Sequence, residues 1–82
     1  MIRLGKKTKK SAAQVLDKAV DYFGPAGVGL ELIHRDEASV EFQDSLGHVA
    51  VRARLDEGSG MTDVEIVSRE WDWDAEQFLE KI

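Results

Sequence analysis

The sequence predicts an α+β fold of two layers, an antiparallel sheet packed on one main helix and one short C-terminal helix. Three observations predict it. Apolar residues recur at helical spacing between residues 12 and 23, and from Val28 onward they recur at every second position, the period of a strand. Short turn-forming clusters then divide that second region into four strands, a meander.

The elements follow in order. Ile2 and Leu4 alternate with Arg3 and Gly5, which suits an edge strand whose lysines discourage aggregation. A mobile basic arm over residues 1–10 is the alternative. Ser11 followed three residues later by Gln14 is a capping-box pattern, in which each side chain satisfies a free backbone N–H of the other residue. Ala12, Leu16, Ala19, Val20 and Phe23 then form an apolar stripe that Val15 widens, so the helix is placed at residues 12–23. Gly24, able to take a left-handed cap, and Pro25, unable to continue a helix, end it.

Val28, Leu30 and Leu32 set the inward face of the next strand, with Gly29, Glu31 and Ile33 between them, and Asp36 and Glu37 break it. Val40 and Phe42 mark the strand after it. Asp44-Ser45-Leu46-Gly47 is a tight turn, and Val49, Val51, Ala53 and Leu55 mark the strand that follows. The loop Asp56–Gly60 leads to a last strand with Val64 and Ile66 inward. If Ala53 faces Val64, Arg54 lies opposite Asp63 and Arg52 opposite Glu65, and a one-residue slip would lose both oppositely charged pairs. Asp74 is expected to cap the final helix, whose stripe is Ala75, Phe78, Leu79 and Ile82. A helix that short must dock to exist.

The order strand, helix, four-strand meander, helix resembles the β-α-β4-α arrangement of the TATA-binding-protein-like and helix-grip groups, in which a curved antiparallel sheet wraps a helix. The resemblance spans nearly the whole chain and rests on element order, with no motif residues matched. The second helix is shorter than a helix-grip domain normally offers. The resemblance implies that the first strand pairs with the last, which would set Lys6–Lys10 near Asp63, Glu65 and Glu70.

Composition bounds the function. At 82 residues the chain is expected to form a single domain over 1–82 with a thin core. Its 43% hydrophobic content is too high for a disordered tail. It has no cysteine, which excludes disulfide frameworks, thiol redox chemistry and thiolate zinc sites. No apolar run approaches the about 20 residues that span a bilayer. Asp17 and Lys18 interrupt the apolar residues after the basic start, which argues against a secretory signal and makes cytoplasmic residence the default. The first ten residues hold five bases and no acid, while the remainder carries six bases against all sixteen acids. An acidic body disfavours nucleic acid and anionic membrane as partners.

No convergent catalytic set is legible, and no cofactor or metal is expected. Asp44, Ser45 and His48 are explained by turn chemistry, and His34 and His48 lack the three or four converging ligands of a metal site. The glycine-rich stretch 24–29 runs from a helix into a strand, the reverse of a phosphate loop, and Gly58-Ser59-Gly60 precedes a strand. A one-layer sheet with two helices is expected to leave little room for a substrate cleft. The leading expectation is a noncatalytic binding or protein-interaction module, open to self-association, with Trp71, Trp73, Phe78 and Ile82 as partner-binding residues. If the link after the last strand stays extended, both tryptophans face outward. The alternatives are a small apolar ligand held between sheet and helix, which core size disfavours, and weak phosphate contact through Lys6, Lys7, Lys9 and Lys10. The outward positions of the meander carry Arg35, Arg52, Arg54 and Arg69 against Glu31, Glu41, Asp63 and Glu65, whose charges are expected to cancel.

Overall fold

The computed structural model describes residues 1–82. Along the chain run β1 (Ile2–Thr8), α1 (Ala12–Phe23), β2 (Glu31–Arg35), β3 (Ser39–Gln43), β4 (His48–Asp56), β5 (Met61–Arg69) and α2 (Asp72–Lys81). All five strands join one antiparallel sheet in the order β1-β5-β4-β3-β2. The predicted α+β class and element order are thus the observed ones, and the first strand pairs with the last.

Period and capping explain α1. Ser11 Oγ accepts from the Gln14 N–H at 3.2 Å, and Gln14 Oε1 accepts from the Ser11 N–H at 2.9 Å, closing the capping box. Val15, Leu16, Ala19 and Phe23 form its buried stripe. The expected left-handed cap at Gly24 is not found. Gly24 is extended, with φ −70° and ψ −173°, and the left-handed residue is Gly29, at φ 99°. Glycine is needed at 24 for another reason, because a Cβ there would lie 2.5 Å from the Val20 carbonyl oxygen.

The segment after α1 also departs from expectation. It does not enter the sheet at Val28. The Val28 N–H donates to Tyr22 O at 2.8 Å and the Leu30 N–H to Phe23 O at 2.9 Å, so the chain folds back along the helix end and buries Leu30. β2 begins only at Glu31, and Leu32, expected inward, is 38% exposed. The reason is coverage: α1 packs chiefly on β4 and β3 and gives β2 little cover. A bulge at Ile33 shifts the β2–β3 register, a device that guards a sheet edge. Leu55 is likewise exposed, because β3 begins only at Ser39, opposite Arg52, and leaves Leu55 flanked only by β5.

The β4–β5 register is the expected one: Ala53 faces Val64, Arg54 faces Asp63 and Arg52 faces Glu65. Both helices lie on the same face of the sheet. Phe42, Val51 and Ile66 from the strands meet Phe23 from α1 and Phe78 from α2 in one buried cluster. Phe23 is its hub, with ring centroids 5.7 Å from Phe42 and 5.5 Å from Phe78. Each such buried side chain contributes about 1.5–3 kcal/mol.

The last helix starts earlier than predicted. Trp71, not Asp74, is its N-cap, and no side chain closes that cap. Asp72 and Asp74 both fall in the first turn, where carboxylates favour the positive end of the helix dipole. Asp74 also accepts from the Tyr22 hydroxyl at 3.2 Å, which ties the two helices together. β1 fastens the other end of α2: Lys6 Nζ donates to Leu79 O at 2.7 Å and Thr8 Oγ1 to Ile82 O at 2.8 Å. The docking that so short a helix requires is built from both ends.

Candidate functional site

Alternation leaves the second face of the sheet bare, since both helices take the first. β1 sends Arg3, Gly5 and Lys7 to it, β5 sends Asp63, Glu65 and Val67, and β4 sends Ala50, Arg52 and Arg54. Ser39 and Glu41 of β3 continue the rows. A broad groove of about 860 Å³ opens here, with Gly5, Ser39, Arg52, Arg54, Asp63 and Glu65 among its lining. The expectation that a one-layer sheet leaves little room for a cleft is therefore corrected for this face. Gly5 is not forced by crowding, because a Cβ there would meet only the Val64 carbonyl oxygen at 3.6 Å. Its effect is to leave the floor open beside Glu65.

Cross-strand register places Arg52 against Glu65 and Arg54 against Asp63, yet neither arginine enters any of the five ion pairs of the molecule. The charges of the facing rows balance in sign, but no ion pair joins Arg52 to Glu65 or Arg54 to Asp63. Asp63 leans toward Lys7 at 3.8 Å, and Lys7 is held by Asp56 at 2.6 Å. The hydrogen bond to Asp56, and its charge, raise the Lys7 ammonium above the usual lysine range. The same contact, with donors from Ser59 and the Gly58 N–H, holds the Asp56 carboxyl below the ordinary value. Two guanidiniums and the Glu65 carboxylate remain without ion-pair partners on the groove floor.

The lysines proposed for phosphate contact are divided. Lys6 caps α2 and Lys7 is paired with carboxylates, while Lys9 is exposed and Lys10 half-buried. Lys6 and Lys7 lie on the edge strand β1, and Lys9 and Lys10 follow it in the bend before α1.

The four partner-binding candidates are also separated. Phe78 is 1% exposed and belongs to the core, while Ile82 packs partly against it. The link does not stay extended, because Glu70 turns into the left-handed region at φ 74°. Trp71 consequently folds against the core, with its N–H donating to Ser68 Oγ at 3.2 Å and its indole N–H to Asp44 Oδ1 at 3.3 Å. Trp73 alone stands out, at 67% exposed. Gly47 permits this junction, since a Cβ there would lie 1.9 Å from the Arg69 carbonyl oxygen.

The remaining polar clusters serve turns. Asp44 accepts from the Leu46 and Gly47 N–H groups at 2.9 and 2.8 Å. Desolvation opposes ionisation of Asp44, but these donors and the Trp71 indole hold its carboxyl below the usual range. Asp36 accepts from His34 and from the Ala38 and Ser39 N–H groups, which lowers its pKa to about 2. His34 and His48 each meet a single carboxylate, Asp36 at 2.9 Å and Glu41 at 3.7 Å. Between the helices, a depression of about 240 Å³ is lined by Tyr22 and Phe78, with Lys81 Nζ 4.9 Å over the Tyr22 ring.

The sequence pointed to the tryptophans and the lysines and passed over Gly5, Ser39, Arg52 and Arg54. The signal was present in the register itself, which correctly paired the arginines with acids. Register gives which residues face one another and leaves open which ion pairs close. Comparison with protein-family models, with curated proteins and with solved structures gives no match for this chain.

Proposed function

We propose that this chain is a noncatalytic protein-interaction module that works through the helix-free face of its sheet. One observation carries the reading. Arg52 and Arg54 stand opposite Glu65 and Asp63 without forming ion pairs, on a grooved face that no helix covers. Arginine, with tryptophan and tyrosine, is one of the residue types enriched at the energetic centre of protein interfaces. The signs of charge alternate across the strands, and the chain carries a net charge of −5, so a protein surface suits this face better than a polyanion. Of the two groups whose element order the chain shares, this reading keeps the use of an open sheet face. It sets aside the pocket between sheet and helix, because Leu16, Phe23, Phe42, Val51 and Ile66 pack that space.

Site-directed photo-crosslinking in the source cells tests the proposal. A photoreactive residue at Ala50, in the middle of the face, is expected to give a protein adduct, and one at exposed Asp21 on the outside of α1 is not. Adducts from position 21 with none from position 50 would reject the reading.

A further inference from the structure

Resting on that reading, we infer that the partner is a second copy of this chain, the two sheets packed free face to free face. The two-fold axis runs parallel to β4 and β5 and lies between them.

The argument is a matter of rows. Residues of the free face fall into cross-strand rows fixed by the register. One row reads Gly5, Glu65, Arg52, Ser39 across β1, β5, β4 and β3. The row on one side of it reads Arg3, Val67, Ala50, Glu41, and the row on the other reads Lys7, Asp63, Arg54. A two-fold axis along the strands keeps each row at its own height and exchanges β4 with β5 and β1 with β3. Arg52 of each copy then meets Glu65 of the other, and Arg54 meets Asp63. Arg3 meets Glu41, Val67 meets Ala50, and Gly5 meets Ser39. Opposite charges meet in three of these contacts, two apolar side chains in the fourth and two small residues in the fifth.

A self-complementary patch of this kind is what an isologous interface requires. Opposite charge on β4 and β5 would follow from any favourable cross-strand pairing. The match of Arg3 with Glu41 and of Gly5 with Ser39 would not, because those residues are not neighbours within the chain, whereas Val67 and Ala50 already face each other across β5 and β4. The pairing also gives the unbridged guanidiniums partners that their own carboxylates do not provide. Sheets stack about 10 Å apart, a gap that long side chains such as arginine can bridge. A stable interface needs about 800 Å² from each partner. The surface of this molecule is 5007 Å², of which one whole face of the sheet is free of helices. The row of Arg69 and His48 does not complement itself and would form the rim.

Sedimentation equilibrium of the full chain, from micromolar to millimolar concentration, tests the inference. The unsubstituted protein is expected to reach the dimer mass, with weaker association at high salt. Arg52→Glu with Arg54→Glu makes both columns acidic, and Asp63→Arg with Glu65→Arg makes both basic. Each double variant alone is expected to lose at least about tenfold in association constant, the change that distinguishes loss of a specific contact. An equimolar mixture of the two is expected to dimerise again. Exchanging all four charges keeps both β4–β5 pairs opposite in sign and reverses only the weaker Lys7 contact at the edge, where Asp56 still holds the ammonium, and it is expected to restore the homodimer. If the double variants do not fold, the fourfold exchange decides alone: a dimer supports the inference and a monomer overturns it. A monomeric unsubstituted protein, or a dimer that charge reversal leaves untouched, also overturns it. An adduct from position 50 with a mass other than twice that of the chain would end this inference while leaving the interaction reading intact. Absence of any adduct there would end both.

Discussion

The same five strands build both faces of the sheet, residue by alternate residue, and the two faces could hardly differ more. Toward the helices, Val40, Phe42, Val51 and Ile66 are fully buried, and Phe23 of α1 packs among them. Toward solvent, the residues one step along the same strands are Glu41, Arg52, Glu65 and Val67, and their charges remain largely unpaired. The contrast teaches where each task is placed. Stability is concentrated on the covered face, so the free face can carry groups whose contacts are not needed to hold the fold. Substitutions on the two faces should therefore separate into different classes of effect, and the comparison fails if they do not.

The largest effect is expected on the covered face. Phe42→Ala removes a ring in contact with Phe23 from a fully buried site, and should destabilise by about 3–5 kcal/mol in urea unfolding. A loss near 1 kcal/mol would mean that the core is loose enough to collapse into the gap, and the ligand pocket between sheet and helix would return to consideration. A smaller effect belongs to the polar fastening of α2. Thr8 is buried, and its hydroxyl donates to Ile82 O at 2.8 Å. Thr8→Val keeps the shape and removes the donor, so the cost should be about 1 kcal/mol, with earlier loss of helical circular dichroism on heating. An unchanged melting curve would show that the Thr8 hydroxyl contributes nothing to holding α2.

Much of this arrangement is legible in the residues. The helical period of α1, the capping box at Ser11 and Gln14 and the β4–β5 register follow from spacing and charge. They could be read because they are local or depend on nearest neighbours across one hairpin. What could not be read depends on coverage by distant elements. Leu32 has the right parity for the core, but α1 packs chiefly on β4 and β3 and gives β2 little cover. Trp71 and Trp73 share a parity in sequence, but the left-handed turn at Glu70 sends one to the core and the other to solvent. Lys6 looks like any edge lysine until α2, over seventy residues away, brings the Leu79 carbonyl to it. The candidate face shows the same limit in another form: facing residues follow from register, but side-chain contact does not.

The smallest expected effect is the most informative about that limit. Arg52→Ala and Arg54→Ala remove guanidiniums that bridge to nothing within the chain, so each should change stability by less than about 0.5 kcal/mol at dilute, monomeric concentration. A double-mutant cycle with Glu65→Ala sharpens the test for Arg52. Residues directly across an antiparallel pair ordinarily couple by about 0.2–1 kcal/mol when their charges engage. Here the Arg52–Glu65 coupling should fall below about 0.3 kcal/mol, the scatter within which independent sites add. Coupling of a full kilocalorie would mean that the pair closes in solution, and the free face would then be an ordinary charged surface. Coupling that is absent in the dilute protein and emerges as concentration rises would instead locate the arginine's partner on another molecule, and the covered and free faces would divide stability from association.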